Sequence, residues 1–100
     1  MKVLLATRDL IFRAKLGAVV RAGGGEMAPD EKSSDLVVVD VEAPGAMERI
    51  RGLVLQGVAV LAFGPHVRAE LLRAAREAGA TAVPNSQVVQ QLRQLLATYT

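Results

Sequence analysis

Apolar positions along the chain fall into short continuous runs separated by helically spaced sets. Four runs are rich in β-branched or small apolar residues, which is typical of strands buried on both faces of a sheet. They are Val3 to Ala6, Asp35 to Val39, Val58 to Phe63, and Thr81 to Val83. Gly24 to Met27 predicts one further short strand, so five strands are expected.

Between these runs, apolar residues recur at the spacing of amphipathic helices. Asp9 is the predicted N-cap of a first helix that ends at Ala22, and Asn85 or Ser86 is the predicted cap of the last one. The other two predicted helices are Ala46 to Leu55 and Arg68 to Ala78. Glycine follows each of the first three helices, as expected at helix ends.

Strands that alternate with helices predict a parallel sheet with right-handed crossovers, and therefore a single three-layer α/β sandwich over residues 1–100. The connection between the second and third strands is unusual. It holds fewer than ten residues, whereas a parallel crossover normally needs about a dozen. The domain is therefore expected to be shortened around its second strand and to lack its second helix.

Composition narrows the classes of function. Hydrophobic residues make up 51% of the chain and charged residues 22%, which is typical of a globular domain. The net charge is only +2, without a basic tract, so nucleic-acid binding is not expected. The absence of cysteine excludes disulfides and thiolate catalysis. The short apolar run after Lys2 predicts neither a signal peptide nor a membrane span, and we expect a cytoplasmic protein.

Asp40 is the most informative polar residue, because it ends the third predicted strand. Open α/β sheets bind ligands at the carboxyl ends of their strands. Asp9, Glu42 and His66 are expected on loops at the same edge, but no local ligand spacing supports a metal site. Gly23-Gly24-Gly25 follows a helix instead of a strand, so it predicts a helix stop and turn and not a phosphate loop.

The chain has this order of elements, Asp40 four residues before Pro44, and Ala78-Gly79-Ala80 before the last strand. In these respects it resembles the receiver domain of bacterial two-component response regulators. The resemblance covers nearly the whole length and implies a flavodoxin-like fold. It implies that Asp40 stands at the phosphoacceptor position. It also implies that acidic residues after the first strand would help to hold magnesium, that a hydroxyl residue would end the fourth strand, and that a lysine would end the fifth.

This chain departs from that pattern at each supporting position. Thr7 and Arg8 occupy the acidic positions, and Asp9 falls one place late. Phe63 or Ala62 replaces the hydroxyl residue, and Pro84 followed by Asn85 replaces lysine followed by proline. The resemblance is therefore to a degenerate, or pseudo, receiver. Its vestigial phosphoacceptor pocket is predicted to comprise Asp40, Arg8, Asp9, Thr7, Glu42, Phe63 and Asn85, with Arg8 paired to Asp40 in place of the metal.

The expected function is a non-catalytic signalling or interaction module without a cofactor, which is not phosphorylated and binds a protein partner or a second copy. The expected interface lies on the last two helices and comprises Arg73, Arg76, Gln87, Gln90, Gln91 and Gln94. One alternative is a phosphoacceptor at Asp40 with magnesium recruited by Asp9 and Glu42. Another is a small-ligand or anion site formed by Arg8, His66 and Asn85. A partner could also cover apolar sheet surface, unless residues 28–34 fold over it.

Overall fold

Five parallel strands form one sheet in the computed structural model, which describes residues 1–99 and leaves Thr100 outside. The strands are β1 (Lys2–Ala6), β2 (Glu26–Met27), β3 (Leu36–Asp40), β4 (Ala59–Gly64) and β5 (Thr81–Pro84), in the spatial order β2-β1-β3-β4-β5. The helices are α1 (Leu10–Ala22), α2 (Ala46–Leu55), α3 (Ala69–Glu77) and α4 (Val88–Thr98). The predicted strands and helices are present, with ends that shift by one or two residues.

A separate hydrophobic core fills each face of the sheet, because successive side chains of a strand point to opposite faces. On one face Val38 and Phe63 pack with the apolar residues of α1 and α4. On the other face Val37 and Val39 pack with those of α2 and α3. The three-layer α/β sandwich predicted from the sequence is confirmed.

The starts of the first and last helices differ in how they are capped. Asp9 caps α1 as predicted, since its Oδ1 accepts the N–H groups of Ile11 (3.0 Å) and Phe12 (3.1 Å). The predicted cap of α4 is wrong. Asn85–Gln87 form a short 3₁₀ helix that leads into α4, and Gln87 stands at the N-cap without a side-chain hydrogen bond. Neither Asn85 nor Ser86 therefore stands at the start of α4.

Residues 28–35 connect β2 to β3 without a helix. Ala28 is buried and donates its N–H to the carbonyl of Val3 (2.8 Å), and the Lys2 N–H donates to Asp35 Oδ2 (2.7 Å). Glu31 reaches α2, where its Oε2 lies 2.6 Å from Arg49 Nε. The segment thus folds back along the sheet edge. Less apolar sheet surface therefore remains exposed there, which weakens the case for a partner on this face.

No helix within residues 1–99 is both long and apolar enough to cross a membrane.

Candidate functional site

Asp40 lies at the carboxyl end of β3, partly buried, with both carboxylate oxygens hydrogen-bonded. Oδ2 accepts the hydroxyl proton of Thr7 (3.2 Å), and Oδ1 accepts the N–H of Glu42 (2.9 Å). Thr7 is only 7% exposed, and its Oγ1 accepts the N–H of Asp9 (3.1 Å). This network joins the ends of β1 and β3 to the start of α1. It connects Asp40 with Thr7, with the backbone N–H of Glu42 and, through Thr7, with Asp9.

The predicted ion pair between Arg8 and Asp40 is wrong. Thr7 takes the buried position after β1, and the next residue, Arg8, is exposed. Within residues 1–99, Arg8 forms no ion pair; the pairs there are Arg49 with Glu31, and Arg68 with Glu42 and Glu70. A hydroxyl group, and not a guanidinium, is therefore the partner of Asp40.

Two acidic side chains at this edge are already engaged by neighbouring groups. The Asp9 carboxylate is engaged by the first turn of α1, and Glu42 Oε2 lies 3.3 Å from Arg68 Nη1. Among the described residues, no three His, Cys, Asp or Glu side chains are grouped so that they could hold a metal ion.

Strand register decides which residue of β4 lies beside Asp40. Asp40 pairs with Phe63, and Phe63 pairs with Val83 of β5. The side chain of Phe63 is 1% exposed, and its ring centroid lies 5.2 Å from that of Phe12. Of the two candidates from the sequence, Phe63 and not Ala62 is the register partner of Asp40, and an apolar ring occupies that position.

The structure does not bring Arg8, His66 and Asn85 together. Asn85 lines a cavity between α1 and α4, His66 is exposed in the turn after β4, and Arg8 lines a different cavity of about 330 Å³. Arg13 and Arg49 share that cavity with Arg8. Sequence analysis missed both residues, because they lie on different helices and no local spacing connects them.

The predicted interface residues lie on α3, the 3₁₀ helix and α4. Gln87, Gln90 and Gln94 are exposed, whereas Gln91 is partly buried. Arg73 is exposed. Arg76 has a structural contact, because its Nε (3.1 Å) and Nη2 (2.9 Å) both donate to the carbonyl oxygen of Ala82 in the edge strand β5.

Charged side chains at the start of α3 form a small exposed cluster. Glu70, hydrogen-bonded to Arg68, raises the pKa of Arg68, and Glu42 adds to the effect. The same hydrogen bond lowers the pKa of Glu70. Both groups are solvent-exposed, so these ion pairs contribute little to stability and form no buried charged site.

No family model matches this sequence, and no curated protein matches it either. Solved structures are similar in fold. NtrX from Brucella abortus superposes with a TM-score of 0.76 at 17% identity, over 94% of this chain and 25% of NtrX. A response regulator receiver domain protein from Clostridium thermocellum gives a TM-score of 0.74 at 16% identity, over 96% of this chain and 93% of that protein. The chain thus spans a quarter of NtrX and nearly all of the second protein.

These similarities show that the chain has the flavodoxin-like α/β fold of response regulator receiver domains. At this level of identity they show the fold alone, and the function must be inferred from the site.

Proposed function

We propose that this protein is a receiver-like signalling module that is not phosphorylated and acts by presenting its surface to a protein partner. One observation carries the proposal: Asp40 is hydrogen-bonded to Thr7 and Glu42 and has the apolar Phe63 as its neighbour on β4. Phosphoryl transfer needs cations that neutralise charge on the transferred group. The acidic residues around Asp40 offer no grouped ligands for such a cation.

The surface formed by α3, the 3₁₀ helix and α4 is the proposed contact with the partner. Its three exposed glutamines, Gln87, Gln90 and Gln94, carry no charge. Protein interfaces are depleted of charged residues at their centres, and glutamine side chains lose less hydration free energy on burial than lysine or glutamate. Two hydrogen bonds from Arg76 to the carbonyl oxygen of Ala82 tie α3 to the neighbouring edge strand.

The alternative function is that of a phosphoacceptor at Asp40. It is favoured by the position of Asp40 at the carboxyl end of β3, where the side chain is only partly buried and open to a phosphodonor. Under this alternative, phosphorylation would control the contact with the partner.

Intact-protein mass spectrometry after incubation with a small acyl phosphate and magnesium separates the two functions. Wild type should show no phosphoryl adduct, and Asp40→Asn should be indistinguishable from it. A receiver domain with a complete acidic site serves as the positive control for the reagent. An adduct on wild type that disappears in Asp40→Asn would overturn the proposal in favour of the alternative.

Sedimentation velocity over a micromolar concentration series tests the contact surface, with a second copy of this chain as the first partner to examine. If the chain self-associates through this surface, Gln90→Glu combined with Gln94→Glu should weaken association, because like charges would meet across the interface. Glu48→Gln combined with Arg51→Gln on α2 is the control and should have no effect. Self-association that is equally strong in the glutamate variant would exclude this surface.

A further inference from the structure

Three arginines surround a cavity of about 330 Å³ beside the carboxyl end of β1. Eight residues line this cavity; three are Arg8, Arg13 and Arg49, and none is acidic. Its size lies at the lower end of the range for small-molecule sites. We propose that this arginine cavity binds a small molecule that carries a phosphate or diphosphate group.

The charges around the cavity favour a dianion. Arg8 and Arg13 form no ion pair within residues 1–99, whereas Arg49 uses its Nε to pair with Glu31. Three guanidinium groups and one carboxylate therefore leave an excess of two positive charges. Asp40 does not line the cavity. Thr7 does line it, and the Thr7 hydroxyl donates a hydrogen bond to Asp40, so Thr7 lies between the cavity and Asp40.

The backbone of Leu5 supplies a second observation that does not depend on charge. Val3 accepts a hydrogen bond from Ala28 on the β2 side of β1, and strand alternation directs the N–H and C=O of Leu5 to the same side. β2 pairs only with Lys2 and Val3, so Leu5 has no backbone partner there among the described residues.

Leu5 is nevertheless 3% exposed as a whole residue, and it lines both the arginine cavity and a second cavity beside Met27 and Ala28. Nearly all buried backbone N–H groups in proteins have a hydrogen-bond partner. An anion in the arginine cavity would lie beside this edge of β1, where the sheet itself supplies no acceptor for the Leu5 N–H.

Arginine geometry and the excess charge favour a phosphate ester or diphosphate over a single carboxylate. The planar guanidinium group donates two parallel hydrogen bonds to phosphate or carboxylate oxygens. A single carboxylate would match only one of the two excess charges, whereas a phosphate dianion or a diphosphate matches both. The cavity is also larger than one phosphate ion, which leaves room for the organic part of a small phosphorylated molecule.

Isothermal titration calorimetry at constant ionic strength, with inorganic phosphate, pyrophosphate and citrate as probes, tests the assignment. Pyrophosphate should bind more tightly than phosphate or citrate, and Arg8→Gln and Arg13→Gln should each raise its Kd roughly tenfold. Arg51→Gln is the matched control, since it removes the same charge from an exposed position outside the cavity, and its Kd should equal that of wild type. In NMR titrations, the amide signals of Leu5 and Thr7 should move with pyrophosphate.

Three results would each overturn the proposal. One is no measurable binding of phosphate or pyrophosphate to the folded wild type. A second is an equal loss of affinity in Arg51→Gln and Arg8→Gln, which would show general attraction to a chain of net charge +2. The third is citrate binding as tightly as pyrophosphate, which would show that the cavity does not select phosphate. None of these results depends on whether Asp40 is phosphorylated, since none of the probes transfers a phosphoryl group.

Discussion

Phe63 is the register partner of Asp40, so an aromatic ring stands beside the carboxylate on the neighbouring strand of the sheet. The ring packs against Phe12 of α1 and is almost completely buried. One side chain therefore does two things: it joins the hydrophobic core to the first helix, and it makes one side of the Asp40 site apolar.

Phe63→Ala should lower the free energy of unfolding by about 3–5 kcal/mol, because it removes a buried ring and leaves a cavity against Phe12. Urea denaturation followed by circular dichroism measures the change. Tyr99→Ala, which truncates an aromatic side chain that is 46% exposed, should have a much smaller effect. Equal losses in the two variants would contradict the role assigned to Phe63.

Thr7→Val should destabilise the protein by about 1–2 kcal/mol, since it removes a buried hydroxyl that serves both Asp40 and the N–H of Asp9. Thr81→Val provides the control, because Thr81 is exposed on β5 and its change should stay within about 0.5 kcal/mol. Chemical denaturation of the two variants beside wild type is the measurement. If Thr7→Val were as stable as wild type, the hydrogen-bond network at Asp40 would not contribute to folding.

Gly64 and Gly52 should respond in opposite ways to alanine. A Cβ at position 64 would overlap the Val41 side chain, whereas a Cβ at position 52, inside α2, would meet nothing within 4 Å. Gly64→Ala should therefore cost about 1–3 kcal/mol of stability, and Gly52→Ala should add about 0.5–1 kcal/mol.

Thermal melts show whether each alanine variant is less or more stable than wild type. In a double-mutant cycle, Val41→Ala should reduce the loss of stability caused by Gly64→Ala. Absence of coupling between positions 41 and 64 would show that the overlap is relieved elsewhere.

Asp30 should contribute to a loss of stability in acid. The hydroxyl and N–H of Ser33 donate to its carboxylate and lower the pKa of Asp30. Because the pKa is lower in the folded state, the contribution is complete above the unfolded pKa of about 4 and is lost as the pH falls through the folded value.

Asp30→Asn should therefore flatten the acid limb of a plot of stability against pH and leave the neutral region almost unchanged, as measured by urea unfolding at several pH values. The effect should be small, since Asp30 is fully exposed. A variant whose acid limb is as steep as that of wild type would refute the role of Ser33.

Local sequence pattern predicted much of the architecture. The four apolar runs and the segment Gly24 to Met27 became the five strands, and Asp9 became the N-cap of α1, because short buried runs and capping residues act through neighbours in the chain. The same kind of signal failed at the start of α4. Asn85 and Ser86 are both good capping residues, but the chain after β5 enters a 3₁₀ helix first.

The sequence by itself determined the α/β class, the absence of a helix between β2 and β3, and the place of Asp40 at the carboxyl edge of the sheet. Only the tertiary structure decided that Thr7 and not Arg8 meets Asp40, that Phe63 is its register partner, and that Arg8 shares a cavity with Arg13 and Arg49. The physical reason is that strands and helices form from patterns within a few residues. Contacts between side chains from separate elements depend on strand register and on which face each residue occupies.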